Sequence, residues 1–136
     1  MKTKNINKEH LQAEIELILK DRNLDATLIT MFGADERPLN LGFKVYTVFL
    51  LKNHSSILTL STQLDKEQPI YNAISSKIPQ ANWYEREIHD LFGITPIGID
   101  LDPLVLHRDW HRGKNFPMRK DFPIDTQIPI SEVPHE

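Results

Sequence analysis

The chain is expected to fold as an α+β, two-layer sandwich with an extended C-terminal arm, and three observations lead there. Apolar residues recur at helical spacing near the start, three runs rich in β-branched and aromatic residues follow, and prolines crowd the last third. With 136 residues, 40% of them hydrophobic and 26% charged, the chain has the size and composition of one domain that can bury its own core.

Leu11, Ile15, Ile18 and Leu19 form an apolar stripe, Asn7 suits an N-cap, and Ile6 and Leu11 stand at the staple positions, so the first element is a helix of about 14 residues. Residues 26–32, 43–51 and 56–61 have strand composition. The segment from Gly33 to Gly42 and the Asn53-His54-Ser55 turn separate them, and the last two make a hairpin. Helical spacing returns over residues 65–78 through Ile70, Ile74 and Ile78, with Pro69 tolerated near the first turn and Pro79 as the stop. A short extended piece through Ala81, Asn82 and Trp83 leads to a short helix carrying Ile88, Leu91 and Phe92, which Gly93 ends. The expected order is helix–three strands–helix–strand–short helix.

After Ile94 the pattern changes. Seven of the nine prolines fall between Pro79 and Pro134, and no apolar periodicity survives past Leu106. Residues 1–98 are therefore expected to form the sandwich domain and residues 99–136 a proline-rich arm. Trp110, Phe116, Met118, Phe122 and Ile124 interleave with arginine and lysine there, a mixture enriched in interface hot spots. Five basic residues face two acidic ones between His107 and Phe122, in a chain whose net charge is -3. The expectation is that Trp110, Phe116, Met118 and Phe122 fill pockets on a partner while Arg108, Arg119 and Lys120 meet its carboxylates, with an internal Arg119–Asp121 pair as the plainer alternative.

Composition excludes several chemistries. There is no cysteine, so disulfides, thiolate nucleophiles and cysteine-held clusters are absent from this chain. The five glycines make no phosphate-cradling motif. The charged start, MKTKNINKEHLQAEIELILK, lacks the apolar run of a secretory signal, and no stretch approaches the ~20 apolar residues that span a bilayer, so a cytoplasmic location without direct membrane insertion is expected. His107 and His111 stand four apart, a metal-ligand spacing with Asp109 or Asp90 as oxygen donor, and would make the chain a small metal-dependent enzyme. Arg108 and Arg112 weigh against a bound cation, and two hydrogen-bonding histidines are the plainer reading. Glu85, Glu87 and Asp90 offer carboxylates for an acid–base set, but no nucleophile, pocket glycine or metal set accompanies them, and a helix start that favours acidic residues, with Arg86 and Arg108 as ion-pair partners, is the plainer reading. A nucleic-acid role for the basic, aromatic arm is poorly supported at a pI of about 6.1.

Two blocks of sequence go further. NWYEREIHDLFGITPIG, followed after a gap by LVLHRDWHRGKNFPMRKDFP, resembles the signature of the 30 kDa subunit family of respiratory NADH–quinone oxidoreductase and its relatives in membrane-bound nickel–iron hydrogenases. The first block supplies Glu85, Arg86, Glu87, Asp90, Leu91, Phe92, Gly93 and Ile94; the second supplies Trp110, Pro117, Met118, Arg119, Lys120, Asp121, Phe122 and Pro123. Gly98 is followed by Ile99, Asp100, Leu101, Asp102 and Pro103 where the respiratory branch has a histidine-bearing run, and His89, Pro96 and the LVLH-x-x-W run look more like the hydrogenase branch, including formate hydrogenlyase and energy-converting hydrogenases. The resemblance implies a non-catalytic hydrophilic subunit that scaffolds an electron-transfer arm by docking on a large subunit and a small iron–sulfur subunit. It also implies a place at the inner face of the cell membrane, with no cofactor on this chain and the NiFe centre and iron–sulfur clusters in its partners. The 30 kDa subunit of an NADH–quinone oxidoreductase is the alternative within the family.

Overall fold

The computed structural model describes residues 1–106, 110 and 115–123. Strand β1 (Lys2–Asn5) precedes helix α1 (Leu11–Lys20). Strands β2 (Ala26–Asp35), β3 (Phe43–Leu51) and β4 (Ser56–Leu64) follow, then β5 (Ile70–Asn72), helix α2 (Ala81–Phe92) and β6 (Thr95–Ile97). The main sheet runs β1-β4-β3-β2, with β1 parallel to β4 and the other neighbours antiparallel. A second, two-stranded sheet pairs β5 with β6 in parallel.

Alternation decides which face is covered. Phe43, Val45, Thr47 and Phe49 of β3 are buried, while Lys44, Tyr46 and Val48 between them are half-exposed. The buried set joins Leu11 and Ile15 of α1 and Ile88 and Phe92 of α2 in one core with Leu60, Ile74 and Ile94. Both helices therefore lie on one face of the sheet, the α+β sandwich expected. Gly33 on β2 makes the close approach of α2 possible, because a Cβ there would come within 2.9 Å of the Phe92 ring.

Four expectations need correction. Residues 65–78 are not a helix. Asp65 Oδ1 accepts the amides of Glu67 and Gln68, Pro69 follows, and Ile70, Tyr71 and Asn72 pair with β6. Ile74 and Ile78 are buried, but by a single turn in which the Ile78 amide donates to the Ile74 carbonyl at 3.0 Å. The four-residue spacing reported burial without a helix. Ala81, Asn82 and Trp83 are not extended; they are the first turn of α2, whose buried stripe runs Ala81, Glu85, Ile88, Phe92. A carboxylate in a core position interrupted that stripe and hid the helix's length. Helix α1 is ten residues rather than fourteen, with His10 as its cap position and Asn7 instead closing the preceding turn onto the Glu9 and His10 amides. Leu19 is 40% exposed and leaves the stripe to Leu11, Ile15 and Ile18.

Strands β1 and β6 were not anticipated. β1 is Lys-Thr-Lys-Asn, exposed throughout, and carries no apolar alternation; its place is set by parallel pairing with β4.

Candidate interaction site

Helix α2 carries the first signature block, and its side chains hold two separate pieces of chain. Glu85, fully buried, accepts the Ile74 amide at 2.6 Å, the Tyr71 hydroxyl at 3.1 Å and the Ser75 amide at 3.3 Å, fixing the turn that follows β5. Burial pushes its carboxyl pKa up, against the pull of those donors. Burial, and then the nearby carboxylate, push Tyr71 well above the usual phenol value. Arg86 turns the other way. It donates to the Asp102 carbonyl at 3.1 Å and the Pro103 carbonyl at 3.3 Å, and its guanidinium lies over the Trp83 ring. Asp90, also buried, accepts the Leu104 and Val105 amides at 2.9 Å each and the Leu106 amide at 3.4 Å on one oxygen. Together Arg86 and Asp90 fasten the start of the arm.

The end of the helix receives the arm's return. Gly93 adopts φ 72°, the left-handed C-terminal conformation, and a Cβ there would come 2.6 Å from both the Phe116 ring and the Arg119 guanidinium. Arg119 donates to the Phe92 carbonyl at 2.6 Å, and the Met118 amide donates to the Leu91 carbonyl at 3.1 Å. The Arg119 guanidinium is layered between the Phe116 ring at 4.2 Å and the Phe43 ring at 5.1 Å. Desolvation, followed by repulsion from Arg37, lowers its pKa.

A second anchor lies beside it. The Asp35 carboxylate has no exposed side-chain surface; it takes two bonds from the Arg37 guanidinium, at 2.9 and 2.7 Å, and one from the Lys120 amide at 2.8 Å. Arg37 also bridges to Asp121 at 2.7 Å and lies over Phe43. The Arg37 guanidinium holds the Asp35 carboxyl at about 2, and the same group lowers Asp121. Trp110 stacks on Phe122 with ring centroids 6.2 Å apart and donates from its indole to the Asn115 carbonyl.

Among the expected partner-binding residues, Phe116 and Arg119 are thus engaged within the chain, and Asp121 pairs with Arg37 instead of Arg119. Pro117 is half-buried, whereas Met118, Lys120 and Pro123 are exposed. Arg108, His107 and His111 lie outside the described residues, and among the described residues no group of three or more His, Asp or Glu is placed to hold a metal ion. Glu85 and Asp90 each hold backbone amides, so the acid–base reading of the first block has no free pair to rest on. Arg37 and Asp35 were missed. Their partners lie 84 and 85 residues away, and only the Asp-x-Arg spacing hinted at a local pair.

The fold and this arrangement define a class: a small α+β domain in which one helix ties down the loops and the returning arm. The chain belongs to the family described as respiratory-chain NADH dehydrogenase, 30 Kd subunit, which it matches over residues 5–127. It is 36% identical over 96 residues to formate hydrogenlyase subunit 5 of Escherichia coli K12, covering 69% of this chain and 17% of that protein. It is 33% identical over 99 residues to hydrogenase-4 component G of the same organism, covering 71% of this chain and 18% of the relative. It is 28% identical over 134 residues to an NADH-quinone oxidoreductase subunit of Streptomyces coelicolor, covering 94% of this chain and 51% of the relative. The chain therefore spans between about a sixth and a half of these curated relatives.

Solved structures share the fold, two of them as follows. A chain of the membrane-bound sulfane sulfur reductase, an archaeal respiratory membrane complex, superposes with a TM-score of 0.76 at 15% identity, covering 90% of this chain and 71% of that one. The trypsin-resistant fragment of Nqo5 gives 0.59 at 21% identity, covering 75% and 81%. No helix among the described residues is long and apolar enough to cross a membrane.

Proposed function

We propose that the chain is a non-catalytic subunit of a membrane-associated NiFe-hydrogenase complex, docked on its large subunit beside the small iron–sulfur subunit and stiffening the electron-transfer arm at the inner face of the membrane. The observation that carries this reading is the use of the signature residues: Glu85, Arg86, Asp90, Phe92 and Arg119 are spent on holding loops and arm in place. A helix used in this way sets a surface rather than a reaction. The match to formate hydrogenlyase subunit 5, over a sixth of its length, supports the hydrogenase assignment and suggests that this domain works beside a much larger polypeptide. In this reading the chain binds no cofactor of its own, and the NiFe centre and clusters belong to its partners.

Within the arm, Phe116 and Arg119 form the seat, and Met118, Lys120 and the Trp110–Phe122 stack supply side chains toward the partner. Co-production with the hydrogenase large subunit of the same cell is expected to give a complex of one copy each. A chain that remains monomeric in the presence of that subunit would overturn the assignment. The 30 kDa subunit of an NADH–quinone oxidoreductase is the second reading, favoured by the match that runs over 94% of the chain. A partner that lacks the cysteines needed to ligate nickel and iron would select it.

A further inference from the structure

The two edges of the main sheet are unlike. β1 is short and charged, which discourages pairing with another chain. β2, at the opposite edge, is ten residues long and has no charged side chain before Asp35; Ile29 is 43% exposed and Phe32 47%. Its first half is blunted, because the ladder shifts at Leu28/Thr30 and the Tyr84 hydroxyl caps the Ile29 carbonyl at 3.1 Å. Residues 30–33 lie beyond that block and line a groove of about 350 Å³ between β2 and α2. Leu91 and Met118 also line it, and Met118 is 54% exposed where the arm returns.

Glu87 is the one charged side chain lining this groove among the described residues. It is also the signature carboxylate left without work: Glu85 and Asp90 each hold backbone amides, whereas Glu87 makes no hydrogen bond or ion pair among the described residues. A carboxylate beside an apolar groove and an unguarded strand edge favours an occupant that brings both a strand and a cation. Two copies of this chain pairing edge to edge about a two-fold axis would set Glu87 against Glu87, which disfavours self-association.

We infer that residues 30–33 of β2 and the adjoining face of α2 receive a short extended segment of the large subunit, added as a further strand, with an arginine or lysine of that segment paired to Glu87. The open stretch, four residues or roughly 13 Å, suits a strand of similar length. This rests on the proposed function and adds the place and chemistry of the contact.

The test uses the full chain co-produced with the large subunit. A benzophenone amino acid at Phe32 is expected to crosslink to that subunit, and the same probe at Leu17, 65% exposed on α1, is not. Glu87→Lys should weaken the complex at least tenfold and Glu87→Gln about threefold, both with unchanged melting. A wild-type complex that forms without a crosslink at position 32, or that tolerates Glu87→Lys, would overturn the inference and leave the proposed function standing. A crosslink joining two copies of this chain would assign the edge to self-pairing and overturn it as well. A wild-type chain that binds no large subunit would remove the proposed function and this contact together.

Discussion

Glu85 illustrates how a charged residue comes to occupy a core position. Its carboxylate is buried, yet two amides and a phenol meet it, so the desolvation it suffers is offset in part by the donors it satisfies. Glu85→Ala would leave those donors buried without an acceptor, and the expected loss is about 3 kcal/mol in denaturant unfolding, with Glu85→Gln losing less because one acceptor remains. The opposite case is Thr62. Its hydroxyl is buried on the core face of β4 and finds no partner among the described residues, and Val45 stands opposite it. Thr62→Val should raise stability by about 1 kcal/mol, read as a higher midpoint with an unchanged slope.

At the scale of the element, the arm's seat depends on one carboxylate and one glycine. Asp35 has a folded pKa of about 2 against 3.8 ordinarily. A depressed carboxyl contributes stability that is complete above about pH 4 and is lost as the pH falls toward 2; the shift corresponds to about 2 kcal/mol. Trp110 fluorescence, which senses the stack on Phe122, is therefore expected to change over that window as the arm loosens. Asp35→Asn should flatten the response there and hold the arm less firmly at neutral pH. Gly93→Ala strikes the same seat from the other side, because a methyl group both resists the left-handed conformation and meets Phe116 and Arg119. A loss of about 2 kcal/mol is expected from strain and contact together, measured by thermal unfolding.

For the molecule as a whole, the described part of the arm belongs to the domain's own surface as well as to any partner's. Arg119 covers Phe43, and the Lys120 amide completes the hydrogen bonding of Asp35, so removing residues from 107 onward uncovers a core ring and a buried carboxylate. The truncated chain should still unfold cooperatively, since the sheet and both helices share one core without the arm, but at a stability lower by about 2–4 kcal/mol. If the proposed docking holds, it should also lose association with the large subunit proposed as its partner.

Local signals were enough for the α+β class, the existence of helix α1 though not its length or cap, the span of β3, the stop at Gly93 and the family signature, because each rests on side-chain period or turn chemistry within a few residues. They failed where a distant partner decided the outcome. Residues 65–78 have the isoleucine spacing of a helix but are held as a strand and a turn by β6 and Glu85, and β1 exists because β4 offers an edge to polar residues that bury nothing. The signature was legible as a pattern, whereas the work of its members was not. Glu85, Arg86 and Asp90 act on backbone atoms 10 to 17 residues away, and Asp35 acts on an amide 85 residues away. Hydrogen bonds across such separations leave no periodicity in the chain, so only the tertiary structure could reveal that the signature helix is a fastening point.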